Sequence, residues 1–146
     1  MKLIAHRGNM NGPNPERENT VSYIVEAITL GYDVEVDVWY DPERDIFQLG
    51  HDKPDEIVTA AFLKSPQIWC HAKDIVTLRM LHARGTHCFI HDIDPATLTS
   101  DNHIWIYPGM ELVPDSICVL PELGYNGEIK RCYGICSDYV TNYTHL

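Results

Sequence analysis

Glu35 and Asp37, two positions apart, interrupt an otherwise apolar run in which Val34, Val36 and Val38 alternate with them. On a β-strand that spacing turns both carboxyls to one face, about 7 Å apart along the backbone. Burying two carboxylates beside valines is costly unless something neutralises them, and a divalent cation would do so. Oxygen donors of this kind suit Mg²⁺ or Ca²⁺. An antiparallel strand with a solvated acidic face fits the same spacing. His6-Arg7 sets a titratable imidazole beside a guanidinium whose fork matches phosphate, although a loop histidine next to a surface arginine reads equally well. His51-Asp52 carries the same ambiguity. His71 and Lys73 share a face of a second apolar strand, and a buried lysine demands a partner. His87 and His91 would stand about 13 Å apart on a strand, too far for one metal, and read as structural or rim residues. His82 and His145 read as surface.

These groups need elements to hold them. Met1 to Ala5 is a short apolar strand ending at His6-Arg7-Gly8, and Asn9 to Glu18, rich in Asn and Pro, is a loop. Asn19-Thr20 can cap a helix with Val21, Ile24, Val25 and Ile28 at i, i+3, i+4 and i+7, ended by Gly31. Asp33 to Tyr40 alternates as a strand, Asp41 to Asp45 turns, and Ile46 to Gly50 is extended. Ile57, Val58, Ala61 and Phe62 predict a second, brief helix. Gln67 to Lys73 alternates again, and Asp74 can cap a third helix carrying Ile75, Leu78 and Leu81, ended by Gly85. Further strands are predicted at His87–His91, His103–Tyr107, Ile117–Leu120 and Tyr133–Ser137, joined by polar linkers.

Strand and helix alternate through the first half, which implies parallel pairing with right-handed crossovers. The strands at Leu3–Ala5, Val34–Val38, Ile68–Ala72 and Cys88–Ile90 should then lie parallel in that spatial order. The expected fold class is α/β, a reduced TIM-like (β/α) barrel formed by residues 1–146 as a single domain. A full barrel usually needs about 250 residues, so helices must be shortened or lost in the second half. The polar residues fall near the C-terminal ends of the early strands, where such sheets bind ligands.

The chain has 146 residues, 45% of them hydrophobic and 22% charged, with a formal net charge of −10. That balance fits a folded domain and argues against nucleic acid or anionic membrane surfaces as partners. No apolar run reaches the roughly 18 residues of a membrane span, so no stable membrane insertion is expected. Nor does the N-terminus leave room for a signal-peptide core. Five cysteines without a CxxC pair read as reduced thiols, which fits the cytoplasm. Phosphate-binding glycine loops, a GxSxG elbow and a HExxH helix are missing from the sequence.

Taken in order, IAHRG (Ile4–Gly8), RENT (Arg17–Thr20), GYDVEVDVWYDPERDIFQLGHD (Gly31–Asp52), WCHAK (Trp69–Lys73) and GICSDY (Gly134–Tyr139) resemble the glycerophosphodiester phosphodiesterase family. The match covers the first half of the chain and, in the second, only the final strand. That resemblance implies a phospholipase-C-like phosphodiesterase barrel cleaving a small or lipid-derived phosphodiester. It implies His6 and His51 as the acid–base pair, Arg7 and Lys73 as phosphate contacts, and Glu35 and Asp37 as ligands of a divalent cation. Glu18 and Asn19 would shape the mouth. Arg17 stands where the family usually has proline, and His71 stands where it usually supplies a third acidic metal ligand. As a neutral imidazole His71 would take that place, favouring Mn²⁺ or Zn²⁺ relative to Mg²⁺ or Ca²⁺ and titrating near about 6.5. The segments LTSDNHIWIYPG and VLPE are similar to short relatives of no stated activity. A different class of function fits the same residues, namely a catalytically inactive relative serving as a binding or assembly module.

Overall fold

The computed structural model describes residues 1–129 and 131–146. Among the described residues, ten strands and three short helices follow one another. Strand β1 is Lys2–His6, and helix α1 is Val21–Thr29. Next come β2 (Asp33–Asp41), β3 (Ile46–Leu49), β4 (Glu56–Val58), α2 (Ala60–Leu63), β5 (Ile68–Ala72) and α3 (Ile75–Ala83). The second half holds β6 (Cys88–Phe89), β7 (Ala96–Leu98), β8 (Ile104–Ile106), β9 (Ser116–Val119) and β10 (Gly134–Ser137), linked by loops and 3₁₀ turns.

All ten strands join one mixed sheet. Its parallel run reads β6-β5-β2-β1-β10-β9-β8. The four early strands therefore lie parallel in the order that the short crossovers predict. The C-terminal half of the long β2 also pairs antiparallel with β3, Val38 opposite Leu49, and β4 pairs with β3.

The expected reduced (β/α) barrel is not formed. Strands β6 and β8, the ends of the parallel run, share no ladder. The reason is local. The linker strand β7 runs antiparallel along β8, Ala96 opposite Ile106, and takes the edge that closure would need. With only two residues, β6 also has little ladder to offer. The sheet nevertheless curls. Phe89 of β6 and Trp105 of β8 bring their ring centroids to 4.5 Å, and Ser100 N donates to Cys88 O at 2.9 Å.

Alternation along β2 and β5 decides which face meets which layer. Val34, Val36, Val38, Ile68, Cys70 and Ala72 pack beneath α1 and α3 with Ile24, Ala27 and Leu81. The concave face holds Ile4, Trp69, Phe89, Trp105, Ile117, Val119 and Cys136. Each fully buried aliphatic side chain stabilises the fold by about 1.5–3 kcal/mol. Thr20 caps α1 by accepting from Tyr23 N, Gly31 follows with φ +92°, and Asp74 caps α3 by accepting from Thr77 N at 2.7 Å. The buried face of α1 is rotated from the expected one, because Tyr23 and Ala27 turn inward while Val25 is exposed. The brief helix expected around Ile57 begins later. Glu56–Val58 is β4, and Thr59 caps α2 after it. Glu56 then accepts from Val21 N at 2.8 Å, so a carboxylate from β4 holds the positive end of α1.

All five cysteines are free and buried. Among the described residues, no helix is long and apolar enough to cross a membrane.

Candidate metal and acid–base site

The C-terminal ends of β1 and β5 and the first half of the long β2 deliver His6, His71, Glu35 and Asp37 to the same part of the sheet, with Arg7 and Lys73 one residue beyond their strands. Parallel register explains this. His6 stands opposite Glu35, and Asp37 opposite His71, so side chains on one face of neighbouring strands converge. The loop after β3 adds His51, and a cleft of about 420 Å³ lined by Arg7, Glu18, Asn19, His51 and Lys53 opens there.

Asp37 is the hub. Its Oδ1 lies 3.3 Å from Lys73 Nζ and 3.3 Å from His71 Nδ1. Its Oδ2 accepts from Asn19 Nδ2 at 3.0 Å and faces His51 Nδ1 at 3.3 Å. Arg7 Nε stands 3.0 Å from the same Oδ2 as an ion pair, although its N–H is not aimed at that oxygen. Burial opposes ionisation of Asp37, yet His51, His71, Arg7 and Lys73 together hold its carboxyl well below the usual range. Asn19 was expected only to shape the mouth. It is buried and also accepts from Asp37 N at 2.9 Å, so it clamps the carboxylate from two sides. Glu18 accepts from Asn9 Nδ2 at 2.8 Å and pairs with Arg7 at 3.4 Å. Arg7 and Asn19 both have left-handed backbones, with φ +54° and +56°, in the segments that carry these contacts.

Glu35 differs from Asp37. Only 2% exposed, it has no hydrogen-bond partner for Oε2. His71 Nδ1 lies 3.6 Å from its Oε1, and His6 Nε2 lies 3.8 Å from Oε2. Glu35, Asp37 and His71 each offer a ligand atom, all within 4.8 Å of one another. An unpartnered buried carboxyl oxygen beside a second carboxylate and an imidazole fits a divalent cation. His71 Nε2 donates to His91 O at 3.0 Å, which leaves Nδ1 toward the carboxylates, the arrangement that orients a metal-ligating histidine. The Phe89 ring stacks on His71 at 5.0 Å and fixes its plane. Burial disfavours the His71 charge, but Asp37 and Glu35 outweigh it and push the imidazole up to about 9, above the ordinary value near 6.5 that the sequence implied.

His6 and His51 differ in their surroundings. His6 Nδ1 lies 2.7 Å from Asp138 Oδ1. Burial lowers the His6 pKa, and Asp138 and Glu35 reverse this to a net rise. His51 is more open and meets cations, Arg7 Nη2 at 2.7 Å and Lys73 Nζ at 3.5 Å from its Nδ1. All nine residues singled out in the sequence as site residues thus enter one contact network. His87 and His91 do not. His87 packs on Trp69 and bonds Thr99 Oγ1 at 2.8 Å, and the His91 ring donates to Asp94 O, so only the His91 backbone serves the site.

Three residues of the network were not singled out as site residues, namely Asp138, Asn9 and Glu122. Asp138 is the fifth residue of the GICSDY motif, one position beyond β10 and at the same strand ends as His6, and that placement was the available signal. No protein-family model matches the chain, and neither a curated protein nor a solved structure matches it.

Proposed function

We propose that the protein is a metal-assisted phosphodiesterase acting on a small or lipid-derived phosphodiester, similar to the glycerophosphodiester phosphodiesterases that its motifs resemble. The observation that carries this reading is Glu35 Oε2, buried without a hydrogen bond beside Asp37, His71 and His6. Glu35, Asp37 and His71 would hold the divalent cation, Mg²⁺ or Ca²⁺ by resemblance and Mn²⁺ or Zn²⁺ on account of the nitrogen donor. When bound, the cation supplies charge neutralisation to the phosphodiester.

The chain's own groups divide the rest of the work. Arg7 and Lys73 contact phosphate oxygens after leaving Asp37. His51, which lies among Arg7, Lys73 and Asp37, takes the proton from the attacking water as the new P–O bond forms. His6, which faces carboxylates, gives its Nε2 proton to the departing alkoxide as the ester P–O bond breaks. Two imidazoles in different charged surroundings at one site suit an acid–base pair. Five buried thiols support a reducing compartment such as the cytoplasm.

A second reading has its own support. Asp37 is already satisfied by Arg7, Lys73, His51, His71 and Asn19, a self-neutralised cluster that suits a binding or assembly module. Purified protein assayed against glycerophosphodiesters, lysophospholipids and a chromogenic phosphodiester with Mg²⁺, Ca²⁺, Mn²⁺, Zn²⁺ or chelator separates the two. Metal-dependent turnover lost in His6→Asn and His51→Asn is the expected result. Binding of the same compounds without turnover in any metal would establish the module instead.

A further inference from the structure

Asp138 sits where its backbone and side chain are held from several directions. Its N donates to Glu122 Oε1 at 2.8 Å, and Ser137 Oγ donates to both Glu122 oxygens at 3.0 and 3.1 Å. Glu122 is brought there by Leu120, whose backbone is left-handed at φ +46°, and by the Pro121 turn that follows. From the other side Asn9, fully buried, donates Nδ2 to Asp138 Oδ1 at 2.8 Å, while its own Oδ1 is fixed by Asn14 N at 3.1 Å. The Asp138 carbonyl accepts from Gly12 N at 2.8 Å. So much restraint on one carboxylate serves a single shared contact, Oδ1 on His6 Nδ1 at 2.7 Å.

A carboxylate can only accept, so His6 Nδ1 carries the retained proton, and Nε2 is the nitrogen at which the ring gains and gives up a second one. That nitrogen points to Glu35, the unpartnered carboxyl of the site. We propose that Asp138 is a positioning residue, held by Glu122 and Asn9, that keeps a proton on His6 Nδ1 in the neutral ring and so makes Nε2 the nitrogen from which the imidazolium donates to the leaving alkoxide. The inference rests on the phosphodiesterase reading for its catalytic half and on hydrogen-bond geometry alone for its tautomer half. In the reaction the Nε2–H bond of the His6 imidazolium breaks, an alcohol O–H bond forms, and His6 passes from cation to the neutral ring that keeps Nδ1–H on Asp138.

The alternative is a purely structural pair, and leaving-group chemistry distinguishes them. An aliphatic alkoxide needs a proton as it departs, whereas a nitrophenolate leaves as a stable anion. Asp138→Asn keeps the backbone bond to Glu122, and its amide oxygen can still accept from Asn9. Wild type and variant are compared with Mn²⁺ on a glycerophosphodiester and on bis(4-nitrophenyl) phosphate. Thermal midpoints and Mn²⁺ titrations verify the fold, and ¹⁵N–¹H correlation spectra of metal-free protein read the His6 tautomer. The expected result is a kcat loss of about 10²–10³-fold on the alkyl ester with KM held within about twofold. Loss on the nitrophenyl ester should stay below about tenfold, and the neutral ring should move from a single Nδ1–H tautomer to a mixture. Equal losses on both esters, or an unchanged tautomer in Asp138→Asn, would overturn the proposal. Wild type that cleaves neither ester refutes the phosphodiesterase reading and the donor role with it, while the spectra still decide whether Asp138 sets the tautomer.

Discussion

Replacing Glu35 by Gln removes charge from the one carboxyl of the site that lacks a hydrogen bond. Glu35 is 2% exposed, and its nearest cationic neighbours are His71 Nδ1 at 3.6 Å and His6 Nε2 at 3.8 Å. Both imidazoles have closer acidic partners, His71 in Asp37 at 3.3 Å and His6 in Asp138 at 2.7 Å. Loss of the Glu35 charge therefore strands neither of them. An unpaired buried polar group costs about 1–3 kcal/mol, and more when it is charged, so a neutral amide is cheaper to bury. In chelator, Glu35→Gln should exceed wild type in stability by about 1–2 kcal/mol, with about 2–4 °C per kcal/mol for a domain of this size. Divalent cation should reverse the order. At a hundred times its Kd a ligand stabilises by about 2.7 kcal/mol, which wild type gains and the variant, short of one anionic ligand, does not. Thermal unfolding of both proteins in EDTA and across a Mn²⁺ series measures each term. A variant destabilised by about 3–5 kcal/mol in EDTA would make Glu35 a structural partner of the two histidines. Equal Mn²⁺ shifts in both proteins would remove Glu35 from the cation site.

Cation binding must displace the proton that His71 holds up to about pH 9. Apparent Mn²⁺ affinity should therefore rise about tenfold per pH unit and level off above that value, with one proton released per ion in calorimetry. His71→Ala should bind more weakly and lose this slope. Metal-free, the same raised value contributes stability that is complete below pH 6.5 and disappears as pH rises through about 9. Urea unfolding should show a decline of roughly 2–3 kcal/mol over that range in wild type and none in His71→Ala. Asp74→Ala deletes the α3 cap and should cost about 1 kcal/mol by the same method, without altering the Mn²⁺ response. Gly8→Ala should cost more than about 1 kcal/mol, because φ is +89° and the new Cβ would lie 2.9 Å from Tyr23 Cδ1. An unchanged unfolding midpoint there would mean that β1 and α1 yield to admit it.

Local pattern made some of this legible and long-range pairing hid the rest. Val34, Val36 and Val38 alternate with Glu35, Asp37 and Trp39 because β2 buries one face beneath the helices and turns the other to the rim. Thr20, Asp74, Gly31 and Gly85 marked helix ends through chemistry that acts within a few residues. Strand β7 left no such trace. Ala96–Leu98 is short and largely exposed, and its place on the edge of β8 is what keeps the sheet from closing. Glu56–Val58 was misread because Ile57, Val58, Ala61 and Phe62 satisfy a helical period by coincidence across the boundary between β4 and α2. The site residues on β1, β2 and β5 could be grouped because strand ends gather in a parallel sheet. Asp138 escaped because its meaning lies in a histidine at the other end of the chain.

The pairing of β1 with β10 has a consequence for the order of folding. Lys2–Ala5 stands in register with Gly134–Ser137, so the middle ladder of the sheet joins segments from the two ends of the sequence. Closing so long a loop costs entropy before any contact rewards it, and such pairings form late. The β2–β3 hairpin and the β2–α2–β5 crossover need only residues 33 to 72. Glu35, Asp37 and His71 can therefore come together while β10 is still unpaired, and a cation captured by them would act as a staple on the half-formed sheet. The contact between His6 and Asp138 belongs to the last ladder to zip.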